Sequence, residues 1–142
     1  MAGVPASNLC GRSGLAEAIN YINNIGLNEI HEYEKTITKY LFEKLNQIEN
    51  IEIIGPSPEI DQHRASLATF YIKNIHSNDI AEILDSKGIC IRSGHHCCQP
   101  LHRYIGIKST ARISMNFTTN KEEIDIFIKN LKDTIDFLKI NS

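Results

Sequence analysis

Tryptophan is absent, methionine occurs only twice and proline four times, and no stretch approaches the roughly 18 consecutive apolar residues of a membrane-spanning helix. No such helix is expected. Charge of one sign is lacking too. Fifteen Lys+Arg stand against seventeen Asp+Glu, and no basic stripe interleaved with aromatics runs through the chain, so the footprint of a nucleic-acid binder is missing. The opening Met1-Ala2-Gly3-Val4-Pro5 has neither the charged nor the apolar region of a secretion signal, and Ala2 excludes the myristoylation pattern. An intracellular, cytoplasmic location is the expectation. Cysteine is scarce and unevenly placed, at Cys10, Cys90, Cys97 and Cys98, which is not the framework of a disulfide-stapled secreted domain. The four are expected to be thiols. What remains is an ordinary globular composition, 42% hydrophobic and 23% charged over 142 residues, enough for one domain with its own core.

Helical and alternating patterns intersperse without repeat or linker, which predicts a single α+β unit. Residues 1–14 read as an irregular, Gly-rich lead-in (Gly3, Gly11, Gly14), followed by a helix on Leu15, Ala18, Ile19 and Ile22 that Gly26 stops. Asn28 is placed to cap a second helix with an apolar stripe of Ile30, Tyr33, Ile37, Tyr40, Leu41, Leu45 and Ile48. Strands are expected at Ile51 to Ile54, Leu67 to Ile72 and Ile89 to Ile91, with a short helix capped by Ser77 and ended by Gly88 before the last of them. Ala111, Ile113, Met115 and Phe117 alternate with Arg112, Ser114 and Asn116, a strand with Arg112 on its polar face. Overlapping capping boxes, Thr119 with Glu122 and Asn120 with Glu123, open the final amphipathic helix.

One stretch does not read as packing: Arg92-Ser93-Gly94-His95-His96-Cys97-Cys98-Gln99-Pro100. Pro100 suits the first helical position, which makes Gln99 the expected cap and sets the two cysteines just before a helix N-terminus. Such a place, with a cation such as Arg92 nearby, favours a reactive thiolate. Two other readings stand beside it. Intracellular cysteines commonly just fill space. A zinc site from His95, His96, Cys97, Cys98 and His102 is disfavoured, because adjacent side chains tend to diverge while zinc ligands are usually spaced by two to four residues. No metal is therefore expected. His76 and His102 read as surface or structural residues.

The run R-S-G-H-H-C-C-Q-P-L-H-R-Y from Arg92 to Tyr104, with A-R-I-S from Ala111 to Ser114, resembles the active-cysteine segment of the group II (SUF-type) cysteine desulfurases. These belong to the class V aminotransferase family of fold-type I pyridoxal 5'-phosphate enzymes. Looser similarity runs through A-G-V-P, the first helix, D-I-A-E-I-L-D-S-K-G-I and the closing helix. The resemblance implies the family's small C-terminal domain over residues 15–142, a short mixed or antiparallel sheet covered by helices. It makes Cys97 the catalytic nucleophile that takes sulfur from L-cysteine, leaving alanine and an enzyme persulfide, with pyridoxal phosphate as electron sink. It makes Arg112 the ligand of the substrate α-carboxylate, a task suited to a planar, permanently charged fork. Arg92, His95 and His96 take supporting roles. A SUF-type sulfur-acceptor protein, a homodimer, iron–sulfur cluster assembly and a cytoplasmic or plastid-stroma setting are the family's further implications.

The sequence departs from the family in three respects. None of its lysines stands in the family's cofactor-binding motif, so no cofactor-binding residue is expected here and the chain by itself is not expected to make alanine. Val4 replaces a threonine that contacts the cofactor phosphate of the neighbouring subunit. Cys98 supplies a second thiol directly after the nucleophile. A free-standing persulfide carrier is the rival reading, and a structural metal module the third.

Overall fold

The computed structural model describes residues 9–61 and 63–140, with side chains from residue 11 onward. The expectations for Gly3, Val4 and the first eight residues of the lead-in fall outside the described residues. The sequence reading counted one domain. The structure clusters the chain into two compact units, Met1–Tyr33 and Glu34–Ser142.

Helix α1 spans Leu9–Ile25 and α2 spans Leu27–Leu45. The lead-in was expected to stay irregular through residue 14, but α1 already begins at Leu9. Each Gly or Ser costs a helix at most about 1 kcal/mol, and a nucleated helix extends through such residues cooperatively. Asn28 is not the cap of α2. The Gly26 N–H donates to the Ile22 carbonyl at 2.9 Å while the Gly26 carbonyl accepts from Ile30 N–H at 3.1 Å. One glycine, at φ 103°, thus ends α1 and starts α2.

The second unit holds β1 (Ile51–Ile54), β2 (Leu67–Ile72), α3 (Ser77–Ser86), β3 (Arg92–Gly94), α4 (Gln99–Ile105), β4 (Thr110–Ser114) and α5 (Lys121–Ile140). The strands form one antiparallel sheet in the order β1-β2-β4-β3. The α+β expectation holds, with the sheet wholly antiparallel. Ala68, Phe70, Ile72 and Ala111 point to one face and pack with Ile37, Leu41 and Leu45 of α2, Ile80 and Leu84 of α3, and Ile124, Leu131 and Ile135 of α5. On the opposite face the register aligns Ile54, Thr69, Arg112 and Arg92 in one row across all four strands.

Three local expectations are corrected. His76, not Ser77, is the N-cap of α3: it has extended geometry, and its Nδ1 accepts the Asn78 N–H at 3.2 Å. Ser77 lies inside the helix, its buried hydroxyl without a partner. Ile89 to Ile91 is not a strand. Gly88, at φ 75°, closes α3 in a Schellman arrangement, with Ile89 N–H bonded to the Leu84 carbonyl and Gly88 N–H to that of Asp85. The chain therefore reaches the sheet edge only at Arg92. Beyond β4, which ends at Ser114, the box of Asn120 and Glu123 forms reciprocally at 2.9 and 3.0 Å, whereas Thr119 Oγ1 is taken by Asn116 N–H.

Candidate active-cysteine site

Strand β3 feeds directly into a tight turn. The Cys98 N–H donates to the His95 carbonyl at 2.8 Å, and the two residues between, His96 and Cys97, have φ of 51° and 61°. Paired positive φ values are the mark of a type I′ turn, which ordinarily calls for Asn-Gly. Side chains larger than glycine cost about 1 kcal/mol or more each in this region, and such strain tends to be retained where it positions reactive groups. Here it brings the Cys97 sulfur to 3.8 Å from Arg92 Nη2, and leaves the thiol exposed.

The far end of the turn is held by α4. The Cys98 carbonyl accepts the His102 N–H, so Cys98 rather than Gln99 is the N-cap, and Pro100 takes the second helical position instead of the first. His102 is buried, its Nδ1 3.0 Å from the Cys98 carbonyl and its Nε2 3.0 Å from Thr110 Oγ1. This is a structural histidine, as the sequence reading had it. Through Thr110 it ties the cysteine turn to β4, on the strand that carries Arg112.

Arg112 stands half-buried on the face opposite the core, between Thr69 of β2 and Arg92 of β3. Directly opposed like charges on neighbouring strands repel. No carboxylate pairs with either arginine among the described residues, and Arg112 Nε is buried without a hydrogen-bond partner. A cleft of about 300 Å³ opens beside it, lined among others by Ile54, Thr69, His96, Cys98, His102 and Arg112. Both ring nitrogens of His96 are likewise buried and unpartnered. Burial first, and the Arg112 charge second, hold His96 below its usual 6.5, with a nearby Thr110 backbone group offsetting part of this. Burial and the neighbouring arginines thus favour the neutral ring. Two cations, a neutral imidazole and an unpaired buried donor suit the binding of an anion.

The structure therefore gathers Arg112, His96 and Cys98 around one cleft, and Cys97 with Arg92 at the turn beside it. His95 is exposed and stacks edge-on against His102, ring centroids 5.3 Å apart. The sequence reading missed Thr69 and Thr110. The alternation in β2 marks Thr69 as polar-faced, but its pairing with Arg112 is a matter of register. Among the described residues no three His, Cys, Asp or Glu side chains come together to hold a metal ion, and no helix is long and apolar enough to cross a membrane.

The aminotransferase class-V profile matches residues 2–127. The chain belongs to the aminotransferase class-V family. It is 44% identical over 124 residues to a probable cysteine desulfurase of Staphylococcus epidermidis, which covers 87% of this chain and 29% of that protein. A probable cysteine desulfurase of Synechocystis is 43% identical over 136 residues, covering 96% and 32%. The chain thus spans about a third of the length of these relatives. Among solved structures, the apo cysteine desulfurase of Thermococcus onnurineus superimposes with a TM-score of 0.79 at 33% identity, covering 87% of this chain and 30% of that one. A cysteine desulfurase of Escherichia coli reaches 0.82 at 22%, a likeness of fold, covering 96% and 32%. A C-terminal portion of the cysteine desulfurases within the class-V family fits the chain.

Cysteine desulfurases of this family depend on pyridoxal phosphate. The residues present do not fit that cofactor by themselves. No lysine lines the Arg112 cleft to bind it covalently, and no carboxylate lines it to pair with the ring nitrogen.

Proposed function

We propose that this chain supplies the sulfur-accepting half of a group II cysteine desulfurase, an enzyme that converts L-cysteine to L-alanine and loads a persulfide for iron–sulfur cluster assembly. The observation that carries the reading is the strained turn that presents Cys97 to Arg92 beside the unpaired Arg112. Arg112 receives the substrate α-carboxylate, satisfying its buried Nε and relieving the repulsion from Arg92. Cys97 is the nucleophile that attacks the substrate sulfur, and Arg92 stabilises negative charge on it. His96, neutral and shielded, is a proton acceptor at the cleft. His95 supports the turn through His102. The cofactor-binding lysine is the contribution of residues other than those lining this cleft. A SUF-type acceptor protein, a homodimer and a cytoplasmic or plastid-stroma setting belong to the same proposal.

A graft tests this reading. Residues 2–127, the stretch matched by the family profile, replace the corresponding segment of the Synechocystis relative, and the visible absorbance of bound pyridoxal phosphate reports a folded site. We expect alanine release from L-cysteine, reduced at least about 100-fold by Cys97→Ala and by Arg112→Ala. A cofactor-loaded graft indifferent to both substitutions would overturn the proposal.

A further inference from the structure

Cys98 has no part in the chemistry above, yet it is an exposed thiol next to Cys97 and lines the cleft that holds Arg112 and the unpartnered nitrogens of His96. Arg92 approaches the Cys97 sulfur, and Cys98 lines the cleft that also holds Arg112. We infer that Cys97 and Cys98 are a dithiol pair that discharges a persulfide as hydrogen sulfide and closes to a disulfide between neighbouring residues. The inference rests on the reading of Cys97 as the persulfide-bearing residue.

Displacement at sulfur proceeds with nucleophile, central sulfur and leaving sulfur in line, and the outcome depends on which sulfur is attacked. If Cys98 attacked the terminal sulfur of a Cys97 persulfide, the leaving Cys97 sulfur would sit in the same small ring as the nucleophile, and a linear approach could not form. Attack on the inner sulfur puts the leaving hydrosulfide outside the ring, where it can align. The Cys98–Cys97 S–S bond forms and the bond from Cys97 to the terminal sulfur breaks. Its electron pair leaves with the terminal sulfur, which is reduced to sulfide and takes up the Cys98 thiol proton. The Cys98 sulfur is oxidised to the disulfide level, so no outside oxidant is needed.

Adjacent Cα atoms lie about 3.8 Å apart across a trans peptide, short of the usual disulfide span of roughly 4.4–6.8 Å. The product is therefore strained and readily reduced by a small thiol, which restores both cysteines. A pair built this way releases sulfide when no acceptor takes the persulfide.

The probe is glutathione persulfide added in excess to the reduced 142-residue chain and then removed, with hydrogen sulfide measured and the tryptic peptide Ser93–Arg103 weighed. That peptide contains Cys97 and Cys98 but neither Cys10 nor Cys90. We expect the wild-type chain to release hydrogen sulfide, its peptide left at the dithiol mass or about 2 Da below it, and the Cys98→Ala peptide to keep a gain of about 32 Da on Cys97. A wild-type peptide that keeps the gain overturns the pair, and a gain seated on Cys97 leaves that residue as the acceptor. A Cys98→Ala peptide that takes up no sulfur overturns the reading of Cys97 itself.

Discussion

The two faces of the sheet obey opposite rules. On the face toward α2, α3 and α5, Phe70, Ala68 and Ala111 are fully buried among aliphatic side chains, and a buried polar contact reaching across to α2, Thr38 Oγ1 with Ser66 Oγ at 2.9 Å, is satisfied. On the other face two arginines oppose each other, buried nitrogens of Arg112 and His96 lack partners, and the turn that follows holds two non-glycine residues at positive φ. The first face lowers the free energy of the fold. The second raises it, and each cost there is one that a bound anion or a reacting sulfur can offset. The contrast marks the second face as the candidate functional face of a chain whose overall charge is only −2.

The contrast can be broken by substitutions on either side. Phe70→Ala removes a ring with no exposure and should cost about 3–5 kcal/mol, read from the urea midpoint. Arg112→Ala, one register position away on the other face, should cost nothing or stabilise by up to about 1 kcal/mol, because it removes both a buried unpaired donor and a like-charge pair. Equal losses in the two variants would erase the distinction. A smaller effect is expected at the turn. Cys97→Gly relieves one left-handed residue and should stabilise the chain by up to about 1 kcal/mol while abolishing persulfide uptake at that position, and a destabilised variant would show that the turn is not strained.

The smallest expected effect is a pH dependence at His96. Its folded pKa lies below its ordinary 6.5, so between those two values the unfolded chain binds more protons than the folded one. The contribution to stability is therefore complete above the ordinary value and is lost as pH falls below it toward the folded value. Thermal melts between about pH 7.5 and about pH 5 should show a decline that His96→Gln flattens. A wild-type curve no steeper than that of the variant would place the ring in a less buried setting.

Much of the architecture was legible because it rests on local rules. The run of strand formers from Leu67 to Ile72 became β2, with burial alternating along the strand, the stripe from Ile37 to Leu45 became the buried side of α2, and the Asn120–Glu123 box formed. The misreadings cluster where one residue serves two elements or where a hydrogen bond reaches past its neighbours. Gly26 took the capping place assigned to Asn28, His76 the one assigned to Ser77, and the closure of α3 onto Ile89 moved the strand from Ile89–Ile91 to Arg92–Gly94. That last shift matters most, because it puts Arg92 in register with Arg112.

From composition and pattern alone the chain was determined to be an α+β molecule with one chemically dense segment, Arg92 to Pro100, since residue types and their spacing carry helical, strand and turn preferences locally. The family resemblance of that segment, together with Ala111 to Ser114, put forward Cys97 and Arg112 as candidate site residues. Only the tertiary structure decided that Cys98 shares the Arg112 cleft while Cys97 turns toward Arg92, and that Thr69 and Thr110 complete the setting. The pairing of β2 and β3 with β4 joins residues far apart in the chain, and the signs of φ at His96 and Cys97 are imposed by a turn anchored through His102 and Thr110. Neither is encoded in any short run of residues. Both follow from burying the opposite face of the same sheet.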